Sequence, residues 1–234
     1  MSGYSGLIAA ALIPPLLLMV YIYRLDRIER EPVGLIVRLF IFGALSVILA
    51  GTLESILQAV LVQGFMIGMH PSLQRFVLYF IVVALVEEGC KYIILKKGTW
   101  NTPAFDYRFD AIVYSVAVTL GFAALENVMY VTQYGLANAL GRALTSIPGH
   151  CIFGIFMGYY YGMSKMCLLR GDRAQAHSYG IKSLLIPVTL HGLYDFCATS
   201  DMEILVLFFF AYIIVLDIIA FIAVRRMARA DEHL

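Results

Sequence analysis

The sequence predicts an all-α fold: a polytopic transmembrane helical bundle of about seven spans. Three observations carry that expectation. Of 234 residues, 61% are hydrophobic and only 14% are charged, whereas a water-soluble domain carries about a quarter charged residues. The mean hydropathy is +0.83. Apolar segments long enough to cross a bilayer, which takes roughly 20 residues in a helix, recur along the chain. No repeat or low-complexity tract interrupts them, so 1–234 reads as a single integral-membrane domain. The composition excludes a water-soluble enzyme and a disordered tail. A net charge of +1 leaves no basic field to collect nucleic acid.

In chain order the expected spans lie near residues 6–23, 33–52, 76–95, 109–131, 144–162, 183–200 and 203–224. The first contains Pro14-Pro15 and ends at Arg24 without a small-residue cleavage site, so it reads as a kinked span and not a removable signal peptide. Residues 53–69 fit either an extension of the second span or a short interfacial helix. The basic residues set the orientation. Arg24, Arg27, Arg30 and Arg38 follow the first span, and Lys96, Lys97 and Arg108 the third. Lys165, Arg170, Arg173 and Lys182 follow the fifth, and Arg225, Arg226 and Arg229 the seventh. These are fourteen of the 17 Lys and Arg, all on one side of a seven-span pattern; only Arg75 and Arg142 fall in opposite loops. The positive-inside rule then places the N-terminus outside and the C-terminus in the cytoplasm of a cell-membrane protein.

An ionised side chain at mid-bilayer costs at least about 2.5–3.5 kcal/mol on insertion scales. The spans nevertheless hold Glu87, Glu88, Lys91, Glu126, Asn127, His150, His191 and Asp195. Glu87 and Lys91 are four apart, share a helix face and can pair. His191 and Asp195 have the same spacing, which lets the carboxylate orient the imidazole. Each pair taken singly is compatible with a neutralised structural contact; acids and histidines on four separate helices point to function. Glu54, near a helix end, and Asp217, alone in the last span, read as structural. The cysteines Cys90, Cys151, Cys167 and Cys197 have neither disulfide-framework nor zinc-knuckle spacing and read as packing residues.

Gly154, Gly158 and Gly162 recur every four residues below His150, and Ala111, Ser115, Thr119 and Ala123 do so in the fourth span. Such faces let helix backbones approach closely in lipid, which would bring His150 toward Glu126. At about 1.5 Å per residue, Glu87 and His191 fall near mid-span, and Glu126, His150 and Asp195 fall in the outer half. The polar cluster is therefore expected to open toward the extracytoplasmic side.

These residues carry a resemblance. Glu87-Glu88-Gly-Cys-Lys91 is similar to the EExxK motif of the PrsW-type intramembrane proteases, and Phe122-Ala-Ala-Leu-Glu126-Asn127 to their FxxxEN element. His150-Cys-Ile-Phe-Gly154 resembles the HxxxG segment and His191-Gly-Leu-Tyr-Asp195 the HxxxD motif, with Tyr194 where such proteins often carry Trp. Arg24 to Pro32 and the run from Asp106 to Tyr114 also resemble family signatures, so the likeness covers about residues 20–200. The family is related to the CAAX prenyl protease and bacteriocin-processing superfamily. The resemblance implies hydrolysis of a peptide bond in a membrane-anchored substrate, such as an anti-sigma factor, on the outer side.

In the mechanism expected from these groups, Glu87 or Glu88 serves as general base for a water. His191, held by Asp195, donates to the oxyanion or the leaving amine, while Glu126 and His150 complete the pocket. Asn127 supports by hydrogen bonding and Lys91 neutralises the spare carboxylate. No GxSxG is present, and Cys90 lies beside acids, so serine and cysteine nucleophiles fit poorly. A metal-free glutamate protease is favoured over a zinc enzyme held by His150, His191, Glu87 and Glu126, because no HExxH or compact ligand spacing appears. The rival classes are a proton-coupled transporter, against which the lack of internal repeats counts, and a non-catalytic membrane binding protein.

Overall fold

The computed structural model describes residues 2–64 and 66–234. Helix α1 (Ser2–Leu25) runs through both prolines, and α2 (Val33–Gly64) continues for 32 residues. The stretch after residue 52 therefore extends the second span, and no separate interfacial helix forms among its described residues; Phe65 lies outside them. Helix α3 (Pro71–Phe76) passes into a π-helical segment (Val77–Ala84) and then α4 (Leu85–Thr99), with helical backbone angles at both joints. There follow α5 (Asp110–Tyr134), a short α6 (Leu136–Leu144), α7 (Ser146–Leu169), α8 (Arg173–Ala198) and α9 (Glu203–Arg229). Counting Pro71–Thr99 as one rod, the described residues form seven long rods in an all-α bundle. Among the described residues, four segments, Ser5–Leu25, Val33–Leu61, Asp110–Tyr134 and Glu203–Arg229, are long and apolar enough to cross a membrane by length and composition alone. The other three rods carry Glu87, Glu88, Lys91, His150, His191 and Asp195, which lowers their hydropathy.

Helix α5 is the axis of the bundle. Residues 110–124 are buried without a break, because α1, α2 and α7 all pack on it. A helix buried all round must be apolar or small nearly all round, and residues 111–124 consist of Ala, Val, Ile, Leu and Phe with only Tyr114, Ser115, Thr119 and Gly121 among them. Helix α9 is the opposite case, with Leu207, Phe210, Ile214 and Ile218 exposed on its outer face. In a bilayer such residues meet lipid chains as apolar as themselves.

Close approach is built at glycines. A Cβ on Gly43 would lie 2.1 Å from the carbonyl oxygen of Val118, and one on Gly121 would lie 2.0 Å from that of Phe40, so α2 and α5 touch backbone to backbone. On α7, Gly154 abuts Thr119 and Gly158 abuts Ala111 and Ile112, the small-residue faces expected to meet. Gly158→Ala would put its methyl 2.5 Å from backbone atoms of α5. It should cost about 1–3 kcal/mol through overpacking, whereas Gly149→Ala, whose nearest contacts are at 3.6 Å, should be tolerated. Thermal unfolding of the two purified variants in detergent checks this.

Candidate active site

The central cluster is organised by Lys91. Its ammonium group, fully buried on α4, donates to Glu87 Oε2 at 2.9 Å and Glu88 Oε1 at 2.8 Å. Its third proton points to His150 Nδ1 at 3.4 Å, and the charge sits 3.9 Å above the Phe122 ring. All three ammonium protons thus have acceptors. Because Lys91 donates to Nδ1, the proton of a neutral His150 resides on Nε2, which faces Glu126 Oε2 at 3.0 Å. That carboxylate oxygen also accepts from Arg142 Nη2 at 2.6 Å, and Arg142 Nε donates to Asn127 Oδ1 at 3.0 Å. Asn127 in turn donates to the carbonyl of Ala11, tying α5 to α1.

His191 enters from α8 with a carboxylate on each ring nitrogen. Nδ1 lies 2.9 Å from Glu88 Oε1 and Nε2 lies 3.4 Å from Asp195 Oδ2. A doubly protonated ring satisfies both. The ring stacks on Phe153, with centroids 5.1 Å apart and planes at 22°, and stands 5.3 Å from the His150 ring. The π-helical segment assists, since Phe80 packs directly against Gly192, where a Cβ would approach it to 2.5 Å. π-Helical turns often occur at functional sites; this one leads into Glu87 one turn later.

A cavity of about 420 Å³ lies over the cluster, lined by groups that include Glu87, Glu126, His150, His191 and Asp195. It reaches the surface at Gly51, Met129 and Thr199, which are exposed. Thus five of the six acids and histidines singled out in the sequence face one space, while Glu88, Lys91 and Asn127 stand behind its wall. The two adjacent glutamates are thereby distinguished: Glu87 meets the cavity, and Glu88, with no exposed surface, ties Lys91 to His191.

Two residues escaped the sequence reading. Glu54, read there as structural, lies half-buried on the cavity wall because α2 continues to Gly64. Arg142 is brought in by α6, a helix of nine residues that starts after Gly135 at φ 80°. Its signal was its position, an arginine in a loop set otherwise poor in basic residues. Asp217 remains apart, facing an apolar crevice with Cys151, Ala220 and Phe221. All four cysteines are free and buried.

Glu87, Glu88 and His191 bring one ligand atom each to within 4.8 Å of one another. Two carboxylates and an imidazole suit a divalent metal, and Glu88 Oε2 is a buried acceptor without a partner, so the residues fit such an ion in kind and reach. This trio differs from the set expected from the sequence: Glu88 takes part, while His150 and Glu126 bond to each other. Lys91 already bridges the two glutamates and would have to yield one of its bonds.

Residues 31–224 match the family model described as "PrsW family intramembrane metalloprotease". The chain is 34% identical over 190 residues to Protease PrsW of Geobacillus kaustophilus, covering 81% of this chain and 78% of that protein. To Protease PrsW of Oceanobacillus iheyensis it is 33% identical over 233 residues, covering 97% of both. The Bacillus subtilis Protease PrsW is 32% identical over 195 residues, with 83% of this chain and 84% of that one covered. No solved structure gives a significant match. A buried acid–histidine cluster beneath an open cavity, in a bundle with membrane-spanning helices and with this likeness over most of its length, makes the chain a multi-pass cell-membrane protease of the PrsW family.

Proposed function

We propose that the protein hydrolyses a peptide bond of a membrane-anchored protein, an anti-sigma factor being the substrate class, at the extracytoplasmic side, with a water activated by Glu87. The observation that carries this reading is the division of labour between the two glutamates, Glu87 at the cavity and Glu88 behind it. Glu87 takes a proton from the water, and the hydroxide attacks the scissile carbonyl carbon. His191 Nδ1 is anchored on buried Glu88, and its longer contact, Nε2 to Asp195, belongs to a residue of the cavity wall. That N–H stabilises the tetrahedral oxyanion and then protonates the amine as the C–N bond breaks. His150 and Glu126, steadied by Arg142, hold the water and the polypeptide backbone.

Loop charge supports the outer side of the membrane. The cavity is bordered by Arg142 of α6, Ser146 at the start of α7 and Thr199 at the end of α8. The residues Lys165, Arg170, Arg173 and Lys182 lie at the other ends of α7 and α8, which supports an outward-facing site. The relatives' name, Protease PrsW, supports proteolysis.

A second reading is favoured by the metal-competent trio and the unpartnered Glu88 oxygen. In it Glu87, Glu88 and His191 hold a divalent ion, which when bound supplies Lewis-acid polarisation and a more acidic water. Reconstitution in proteoliposomes with a single-span anti-sigma-factor substrate separates the two. Cleavage that survives exhaustive chelation supports the glutamate-activated water. Cleavage lost on chelation and restored by zinc supports the metal. No cleavage by the wild type in either condition overturns both.

A further inference from the structure

A second acidic cluster lies at the far end of the bundle, among signature residues that the protease site does not use. Asp26 follows α1, Glu31 precedes α2, Asp110 opens α5, and Asp231 follows α9. Asp26, Glu31 and Asp110 are each no more than 3% exposed. Among the described residues, no ion pair reaches any of the four carboxylates. Arg30, Arg108 and Lys165 act on Asp26, Asp231 and Asp110 only through space. Burial and the carboxylates of Glu31 and Asp231 push Asp26 up to about 7.

One oxygen of the cluster after another is fixed by a neutral donor. Asp110 Oδ2 accepts from the amides of Asp106 and Tyr107, and Asp231 Oδ1 from those of Phe109 and Glu232. Glu31 Oε2 accepts from the Tyr114 hydroxyl. Among the described residues, Asp26 Oδ2 is buried without any partner, and buried Asp110 Oδ1 receives no N–H or hydroxyl donor; the only group within hydrogen-bond reach of Asp110 besides the two amides is another carboxylate, Glu31. Asp26, Asp110 and Asp231 each bring a carboxylate oxygen to within 4.8 Å of the other two. Oxygens facing each other across a Ca²⁺ ion stand up to about 5 Å apart, twice the Ca–O distance.

The geometry points to a binding site for a hard divalent cation, Ca²⁺ or Mg²⁺, formed by Asp26, Asp110 and Asp231 with Glu31 beside them, separate from the protease cavity. All-oxygen donors select this class over softer metals, and a cation removes the repulsion of carboxylates gathered out of water. The site joins the α1–α2 linker, the start of α5 and the segment after α9. That segment is already laid against residues 106–108 by the Arg108–Glu232 and Leu234–Asp106 backbone hydrogen bonds.

The test is Mn²⁺ binding, followed by electron paramagnetic resonance, to the full chain purified in detergent after chelation. It is run in a Glu87→Gln background, which removes one ligand of the other metal-competent group. The expected result is one bound Mn²⁺ per chain, displaced by Ca²⁺ or Mg²⁺, and lost in Asp26→Asn. Because Asp26→Asn could unfold the cluster, Asp231→Asn is the second variant. Its side-chain carbonyl still accepts the two amides, so the fold is kept, while one ligand charge is gone and affinity should fall about tenfold or more. A thermal unfolding midpoint raised by Ca²⁺ or Mg²⁺ in the parent, but not in Asp231→Asn, gives the same answer by another readout. Absence of stoichiometric Mn²⁺, or binding unchanged in both variants, overturns the site.

Discussion

Glu87→Gln should lower the turnover of a membrane-anchored substrate by about 10²–10⁴-fold, the contribution of a general base, with the bundle still folded. The amide side chain of that variant retains an oxygen that can accept from Lys91, and Lys91 keeps its ion pair with Glu88. Glu88→Gln should behave differently. It removes the charge shared by Lys91 and His191 at 2.8 and 2.9 Å, so stability falls by about 1.5–3 kcal/mol, as for hydrogen bonds to charged groups. Its loss of activity should come with altered His191 titration, followed by NMR of labelled histidine, which Glu87→Gln leaves closer to the parent. Equal unfolding midpoints and equal histidine titrations in the two variants would contradict the distinction between cavity carboxylate and buried anchor.

Lys91→Met should be the most destabilising single change in the site. The ammonium is the shared donor to Glu87, Glu88 and His150, and its removal strands two adjacent carboxylates in a buried place. Breaking a buried ion pair from one side costs about 3–5 kcal/mol, which should lower the thermal midpoint by about 10 °C. Adding Glu88→Gln to Lys91→Met should recover part of that loss, because one of the stranded charges is then gone. A double-mutant cycle on unfolding in detergent measures the coupling. Purely additive effects of the two substitutions would mean that Lys91 is not the hub of the cluster.

The parts of the site legible in the sequence are those that depend on helical spacing. Glu87 with Lys91 and His191 with Asp195 pair because residues four apart share a face, and both contacts are present. The approach of His150 to Glu126 was legible through the glycines of α7, which meet Ala111 and Thr119 on α5. Arg142 and Arg75 were visible only as exceptions to the loop-charge pattern. Arg142 neutralises Glu126, and Arg75 reaches the Phe196 carbonyl and the Thr199 hydroxyl at the end of α8. Such contacts join residues 16 to 124 positions apart, and no periodicity encodes them.

By itself, then, the sequence determined that this chain is a membrane bundle of about seven helical rods, because lipid demands long apolar helices with their backbone bonds satisfied internally. It also determined which polar residues needed an explanation, because each is costly to bury. Only the tertiary structure decided which of two neighbouring glutamates meets the cavity, and that Glu54 belongs to its wall. It alone revealed that carboxylates from positions 26, 31, 110 and 231 gather at the opposite end. The reason is geometric: local spacing fixes the face of one helix, while the angle and depth at which helices cross decide what that face meets.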